Sequence, residues 1–483
     1  MRRWPVIIAL LAIVGSGCGR KEAAKDVIAL AGNRGIDIDE LHRSYTLQPK
    51  WKRGETRLHS YLTQVSELIN QKLYAQEAER LRLEQDSSMQ GYLAFVKQKE
   101  MIKGLYRREI RDNVKIDDAE MRRMYDWLKK KVDFSYVFAH DSSVCATYAG
   151  LLRTTDTDQI PVPGDSSVRM GKREQVKVGS VAPELEKELF SAALHDVRGP
   201  IRVGNGFMAV KITGGSKEAF VSDNDFIAQR EQIEKLIADR KRDSLATRYV
   251  AKMMREKEMR LNGPVFWAVA EYFLRRVREA HIDPQQLQTV YITSDELRLL
   301  DVDLHGMGDA VVATHREGTM TVRQLMDALS NMPGSLRPRV RTPQNLKDAI
   351  GGIVRNQYLV KEATRQGLGE DPGVLREYRL QRDEVLASAY YSRRRGEVQV
   401  TPGEVETFRK ISPVSEEQVF FKFSMAALAR DAKVDSILKA ERPALASRYE
   451  VRCDTVKIRL MVTAPDEILK EEPIRMYLRE IFM

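Results

Sequence analysis

The chain alternates long stripes of apolar residues at helical spacing with short runs at strand spacing. Val27 to Leu41 opens with two short apolar runs flanking Gly32-Asn33-Arg34-Gly35, the composition of a hairpin turn. Asp37 with Glu40 then forms a capping box that starts a helix. Leu58, Leu62, Val65, Ile69 and Leu73 make one helical stripe that continues through Ala78 and Leu81, and helical character persists from Tyr92 to Ile110. A second capping box, Asp117 and Glu120, precedes Met121, Met124 and Leu128, after which Phe134, Tyr136 and Phe138 alternate as a strand. The segment from Cys145 to Leu152 reads as a helix. In Gly179 to Ile212, Leu185, Leu189, Ala192 and Ala193 recur at helical steps, Gly199-Pro200 reads as a turn, and Phe207, Ala209 and Ile212 predict a closing strand. A long helix is predicted from about Asp223 to Met259.

The same order returns later. Val311 to Leu325 aligns without gaps on Val27 to Leu41, and Thr321 with Gln324 restates the capping box. Glu362-Ala363, Leu368 and Asp371 fall where Glu77-Ala78, Leu83 and Asp86 fell, one residue out of register. Thr401 to Glu404 restates Asp117 to Glu120, with Pro402 at the first helical position, and Val419, Phe421 and Phe423 restate the strand. A long period with matched caps predicts two related halves. The second has no counterpart of Gly199 to Ile212, so its final segment is expected to be incomplete.

With 483 residues the chain has room for about three domains. Apolar residues at 43% suffice for proper cores, while 31% charged against 7% aromatic points to long solvated helices. The net charge is +10. Its basic runs, Lys129 to Lys131, Arg240 to Arg242 and Arg393 to Arg395, lie on helical segments and are read as solvated faces, not as a nucleic-acid surface. The seven histidines show no metal-like pairing, and His140 is read as a loop-edge residue. Gly204-Asn205-Gly206 is a turn, not a phosphate loop, because no strand–glycine loop–helix order surrounds it. No cofactor and no metal are expected.

Arg2 and Arg3 followed by the apolar Val6 to Val14 form an export signal too short to span a bilayer. Gly15, Ser16 and Gly17 lead into Cys18, which resembles a bacterial lipoprotein signal in which Cys18 would be acylated, although that pattern has leucine where Gly15 stands. The alternative is an ordinary secretory signal. Cys145 and Cys453 match no metal or redox spacing and are expected as buried free thiols.

The hairpin, the capped helices and the Glu-Ala helix ending in a Leu-x-x-Asp step resemble the SurA, PrsA and PpiD group of extracytoplasmic folding factors. Pro183-Glu184-Leu185-Glu186, Phe190, Gly199-Pro200-Ile201 and Gly206-Phe207 are similar to the parvulin-type prolyl isomerase domain of that group. The resemblance covers about residues 27 to 260, and its helical part recurs from 311 to about 425. It implies an α+β fold of mostly helical chaperone-like arms with a small parvulin-like α/β module, partly duplicated.

The resemblance further implies a signal at 1–17, a tether at 18–26 and a helical domain at 27–131. A parvulin-like domain at 132–216 and a long helix at 217–262 follow, then a connection at 263–310. The second helical domain is placed at 311–417, and an incomplete second module at 418–483. Parvulins hold the proline ring in an apolar pocket and support the twisting amide with paired histidines and an acid or thiol. The resemblance places the apolar grip on Met170, Val181 and Leu185, with Phe190 behind. The histidine positions fall on Tyr136 and Met208, and the family's Asp-Leu-Gly step is read as Arg169-Met170-Gly171. No catalytic residue is therefore assigned. The function implied is an ATP-independent periplasmic holdase for unfolded secreted or outer-membrane proteins, held to the membrane through Cys18. An active isomerase and a scaffold lipoprotein are the alternatives.

Overall fold

The computed structural model describes residues 27–47, 56–161, 168–218, 222–279, 292–304, 306–411 and 424–463. The segments expected as an export signal and as a tether with Cys18, and the strand expected at Val419, Phe421 and Phe423, lie outside them. The fold is α+β, mostly helical, with three small antiparallel sheets among the described residues. Two compact units divide the chain: Met1–Leu105 with Glu256–Met483, and Tyr106–Arg255.

The first unit begins with β1 (Val27–Ala31), β2 (Arg34–Asp37), α1 (Ile38–Leu47), α2 (Arg57–Arg80) and α3 (Ser87–Glu109), within which the boundary falls. The capping carboxylate of Asp37 accepts the Glu40 N–H at 2.8 Å, and Thr56 Oγ1 accepts the His59 N–H at 3.2 Å. Each fills a donor that a helix start leaves open.

The second unit holds α4 (Asp118–Leu128), β3 (Lys130–Ala139), α5 (Ser142–Thr154), β4 (Val168–Val176), α6 (Pro183–Ser191), β5 (Val197–Val203), β6 (Gly206–Lys217) and α7 (Asp223–Met254). Its sheet runs β4-β3-β6-β5, antiparallel throughout. Strand alternation sends Val137, Ala139 and Ala209 to one face, under Cys145, Ala149 and Leu152 of α5. The other face puts Phe134, Val210 and Ile212 against Leu185, Leu189 and Phe190 of α6. Beside the sheet, Met121, Met124 and Tyr125 of α4 pack on Phe226, Ile233 and Ile237 of α7. Hydrogen bonds from Tyr125, Lys129 and Gln229 hold the Asp225 carboxyl at about 2.

One of two expected turns is instead a bulge within a strand. Gly199-Pro200 lies inside β5, where the pairing with β6 shifts register between Arg198 and Ile201. Gly199 has φ +124°, and a Cβ there would stand 2.7 Å from the Met208 carbonyl oxygen, so glycine lets the strands pass at this bulge. The chain reverses at Gly204-Asn205, which the sequence also marks as a turn, between the paired Val203 and Gly206.

The first unit resumes with β7 (Arg260–Leu261), α8 (Gly263–Glu279), α9 (Ser294–Asp303), β8 (Val311–His315), β9 (Gly318–Thr321), α10 (Val322–Ser330), α11 (Pro343–Arg365), α12 (Pro372–Glu397), α13 (Pro402–Ile411), α14 (Met425–Arg448), β10 (Arg452–Cys453) and α15 (Thr455–Thr463). Within the segment expected as a connection, α8 buries Phe266, Val269, Tyr272 and Phe273 while leaving Trp267 exposed. The described part of 418–483 is α14, β10 and α15. Val434, Leu438 and Leu445 of α14 share a core with Leu73, Tyr74 and Ala78 of α2 and Leu386 and Tyr390 of α12. Ile458 of α15 joins Ile28, Ile36, Leu41, Tyr61, Val65 and Leu68.

Each hairpin of this unit takes its third strand from far along the chain. β10 pairs with β1, Ala29 opposite Cys453 and Leu30 opposite Arg452. β7 pairs with β8, Ala313 opposite Leu261 and Thr314 opposite Arg260. The flanking bonds match as well: Asp454 N–H to the Ile28 carbonyl at 2.8 Å, and Asn262 N–H to the Val312 carbonyl at 3.0 Å. Gly32 N–H donates to Tyr449, and Arg316 N–H to Lys257.

A buried ionic network ties α1 and α2 to α12. Lys72, 2% exposed, bonds Glu40 Oε1 at 2.7 Å and Asp383 Oδ2 at 3.1 Å. Arg34 reaches the other Asp383 oxygen at 2.9 Å and Glu79 at 2.7 Å. Both remaining cysteines are free thiols; Cys145 is buried as expected, whereas Cys453 is exposed because β10 is an edge strand. Among the described residues no helix is long and apolar enough to cross a membrane, and no group of three or more His, Cys, Asp or Glu is placed to hold a metal ion.

Candidate binding site on the sheet of the second unit

β3 is an inner strand of its sheet, and its alternate residues Phe134, Tyr136 and Phe138 point toward the α6 side. They line a cavity of about 290 Å³ together with Arg169 and Arg173 of β4, Leu185 of α6 and Met208 of β6. Two glycines on the neighbouring strands make room for the aromatic rings. A Cβ on Gly171 would stand 2.9 Å from the Tyr136 hydroxyl, and one on Gly206 would stand 2.4 Å from Phe138 Cζ. The aromatic wall therefore depends on small residues across the ladder as much as on the rings.

The helix that supplies Leu185 is fixed by a buried acid. Pro183 starts α6 at a position where its missing N–H costs nothing. Glu186, 1% exposed, accepts the Gly179 N–H at 2.5 Å and is bridged by both terminal nitrogens of Arg240 on α7. That pairing anchors both the loop before α6 and α6 itself. Phe190 packs beneath, its ring 6.0 Å from that of Trp127.

Of the residues expected to form the grip, Tyr136, Leu185 and Met208 come together at the cavity. Val181 and Phe190 belong to the same apolar cluster without lining the opening. Met170 does not join them. It is paired opposite Val137, whose side chain belongs to the α5 face, and it packs there beside Val168 and Cys145. The physical reason is strand parity: Arg169, Gly171 and Arg173 share the cavity face, so Met170 between them must face away. Phe134, Phe138, Arg169 and Arg173 were not anticipated at the site. The period-two signal for them is present in the sequence, since 134, 136 and 138 share a face, as do 169, 171 and 173.

The chemistry offered is apolar and cationic. Among the described residues lining the cavity there is no histidine, cysteine or carboxylate. Cys145 lies across the sheet, where burial pushes its thiol up. His140 stands one residue past the end of β3, its ring edge-on to Phe138 at 5.5 Å. Nothing here resembles a nucleophile with its base.

No protein-family model matches the chain, and no curated protein does. Solved structures give distant likenesses. One belongs to the pair of structurally related SurA-like chaperones of Campylobacter jejuni, the virulence factor PEB4 and the periplasmic protein Cj1289. It is 14% identical, with a TM-score of 0.22, over 49% of this chain and 100% of the other. The peptidylprolyl isomerase PrsA of Bacillus anthracis is 13% identical, TM-score 0.18, over 38% of this chain and 96% of its own. PrsA of Bacillus cereus is 12% identical, TM-score 0.18, over 57% and 98%. These likenesses are too distant to transfer an activity or a residue role.

Proposed function

We propose that this chain is an exported, ATP-independent holdase, and that its cavity grips apolar side chains of unfolded proteins with little or no prolyl isomerisation. The carrying observation is the composition of the site: aromatic, leucine and methionine walls with no histidine, thiol or carboxylate among the described lining residues. Tyr136, Leu185 and Met208 would touch the client, with Val181 and Phe190 supporting Leu185 from behind. Without groups that hydrogen-bond the twisting amide, binding gives grip but little differential stabilisation of the transition state. A holdase needs only the former, because it acts by binding the unfolded state.

The clients in this reading are unfolded secreted or outer-membrane proteins, and Cys18 anchors the chain at the periplasmic face of a membrane. The first unit would add further apolar contact. Val456 and Leu460, one turn apart on α15, are 66% and 67% exposed, and Trp267 is 57% exposed. Duplication belongs to the same proposal, supported by the matched strand registers. Leu261 follows Ala29 by 232 positions and Cys453 follows Ala313 by 140, a difference of 92. That is close to the length of the Lys130–Lys217 sheet module, which a second copy would have lost.

Light scattering of a chemically unfolded client, diluted into buffer with and without the protein and without nucleotide, tests this. The expected result is suppression of aggregation that weakens on Leu185→Glu. Wild-type protein that fails to suppress aggregation would favour the scaffold reading.

A further inference from the structure

We infer that the cavity selects client segments in which a carboxylate flanks the apolar side chain it holds; this rests on the client-binding reading above. The observation is two arginines without acidic partners on one face of β4. Arg169 and Arg173 both line the cavity, both are exposed, and neither makes an ion pair or a side-chain hydrogen bond among the described residues. The cations that face the other way are satisfied: Lys172 is paired with Asp158, and Lys211 with Asp156 at 3.3 Å. On the α6 side Glu186 is committed to Arg240 and Asp196 to Arg198, and among the described residues no acid pairs with Arg169 or Arg173.

The spacing gives the geometry. Arg169 lies opposite Phe138 and Arg173 opposite Phe134, with Gly171 opposite Tyr136 between them. Each arginine is two residues from the middle of the aromatic row, about 6.6 Å at the usual strand rise. An extended client lying along β4 with its apolar side chain over Tyr136 and Leu185 brings residues two positions to either side beneath a guanidinium. A planar guanidinium pairs best with a carboxylate, which it grips bidentately. An unpaired cation beside an apolar surface likewise repels lysine- or arginine-flanked segments, so the site discriminates by sign as well as by shape.

Fluorescence anisotropy with the full-length protein tests the inference, using labelled Gly/Ser peptides that carry one phenylalanine. Glu, Gln or Lys is placed two residues before or after it, and a further pair ends in phenylalanine as the free acid or the amide. The glutamate peptides are expected to bind about fivefold to tenfold more tightly than the glutamine peptides, as one or two partly exposed ion pairs allow. The lysine peptides should be weakest, and the preference should shrink as salt is added. Arg169→Gln with Arg173→Gln should abolish the preference, bringing the Glu, Gln and Lys peptides to the same affinity. A gain confined to the C-terminal free acid would overturn selection of internal acids. Equal binding of the Glu, Gln and Lys peptides by wild-type protein would overturn the inference and leave the holdase reading standing. Failure of every peptide to bind would overturn both.

Discussion

Lys72→Met tests how the first unit is held together. Lys72 is 2% exposed, and its ammonium pairs with Glu40, whose side chain is 9% exposed; Asp383, at 8%, keeps Arg34. Methionine fills the space of the lysine stem and removes the charge, leaving the Glu40 carboxylate buried without compensation. Breaking a buried pair in this way costs about 3–5 kcal/mol, a large part of the roughly 5–15 kcal/mol that holds a typical domain folded. The pH dependence carries a definite sign. Burial pushes the Glu40 carboxyl up, against the opposing pull of Lys72. A folded value above the unfolded one favours the protonated native form, so this group's contribution is fully present below the ordinary carboxylate range and is lost as pH rises through the folded value. Removing Lys72 takes away the pull and extends that window upward. The deficit of the variant relative to wild type should therefore be smallest in mild acid and grow toward neutrality. Urea unfolding of the full-length protein gives the free energy, and hydrogen exchange in α2 and α12 shows where the loss falls. Glu40→Gln added to Lys72→Met should recover much of it. A loss under about 1 kcal/mol, the size of an exposed pair, or one that does not vary with pH, would refute the reasoning.

Other sites give sharp expectations. Glu186→Ala strands Arg240 and the Gly179 N–H, and should lower the stability of the second unit by about 2–4 kcal/mol in urea unfolding while weakening peptide binding through the loosened α6. Gly206→Ala forces a methyl against Phe138 and the Ala139 carbonyl oxygen, 2.7 Å away, and should cost about 1–3 kcal/mol with altered binding, read by thermal unfolding and peptide anisotropy. For Glu77, burial opposes ionisation, but hydrogen bonds from Arg80, Arg448 and Tyr449 outweigh it and hold the carboxyl below its usual range. Its contribution is present above the unfolded value and lost as pH falls through the folded one, so acid unfolding of Glu77→Gln should be shallower than that of wild type.

What could be seen in the sequence was local. The hairpin at Gly32 to Gly35, the caps at Asp37, Asp117 and Thr321, the strand through Phe134, Tyr136 and Phe138, and the helix at Pro183 each carry their signal within a few residues. The strand pairing across the chain was not visible, because β7 and β10 are two residues long and show no periodicity; their partners are fixed by tertiary packing of α8 and α15. Met170 was misplaced because a family resemblance assigns a residue to a pocket without regard to the parity of the strand that carries it. In the sequence Arg169 shows only as a departure from the family's Asp-Leu-Gly step, and Arg173 carries no signal of its own. Their character emerges only when the acids bound to Lys172 and Lys211 are found on the opposite side of the sheet.

The most direct test is the cis/trans exchange rate of a Phe-Pro peptide, measured by NMR at protein concentrations where the peptide is bound. Uncatalysed exchange takes tens to hundreds of seconds. A binding module gives binding with exchange still near that timescale, and loss of binding on Leu185→Glu. Exchange accelerated by orders of magnitude in wild-type protein, and abolished by the same substitution, would contradict that reading and make the cavity an active site.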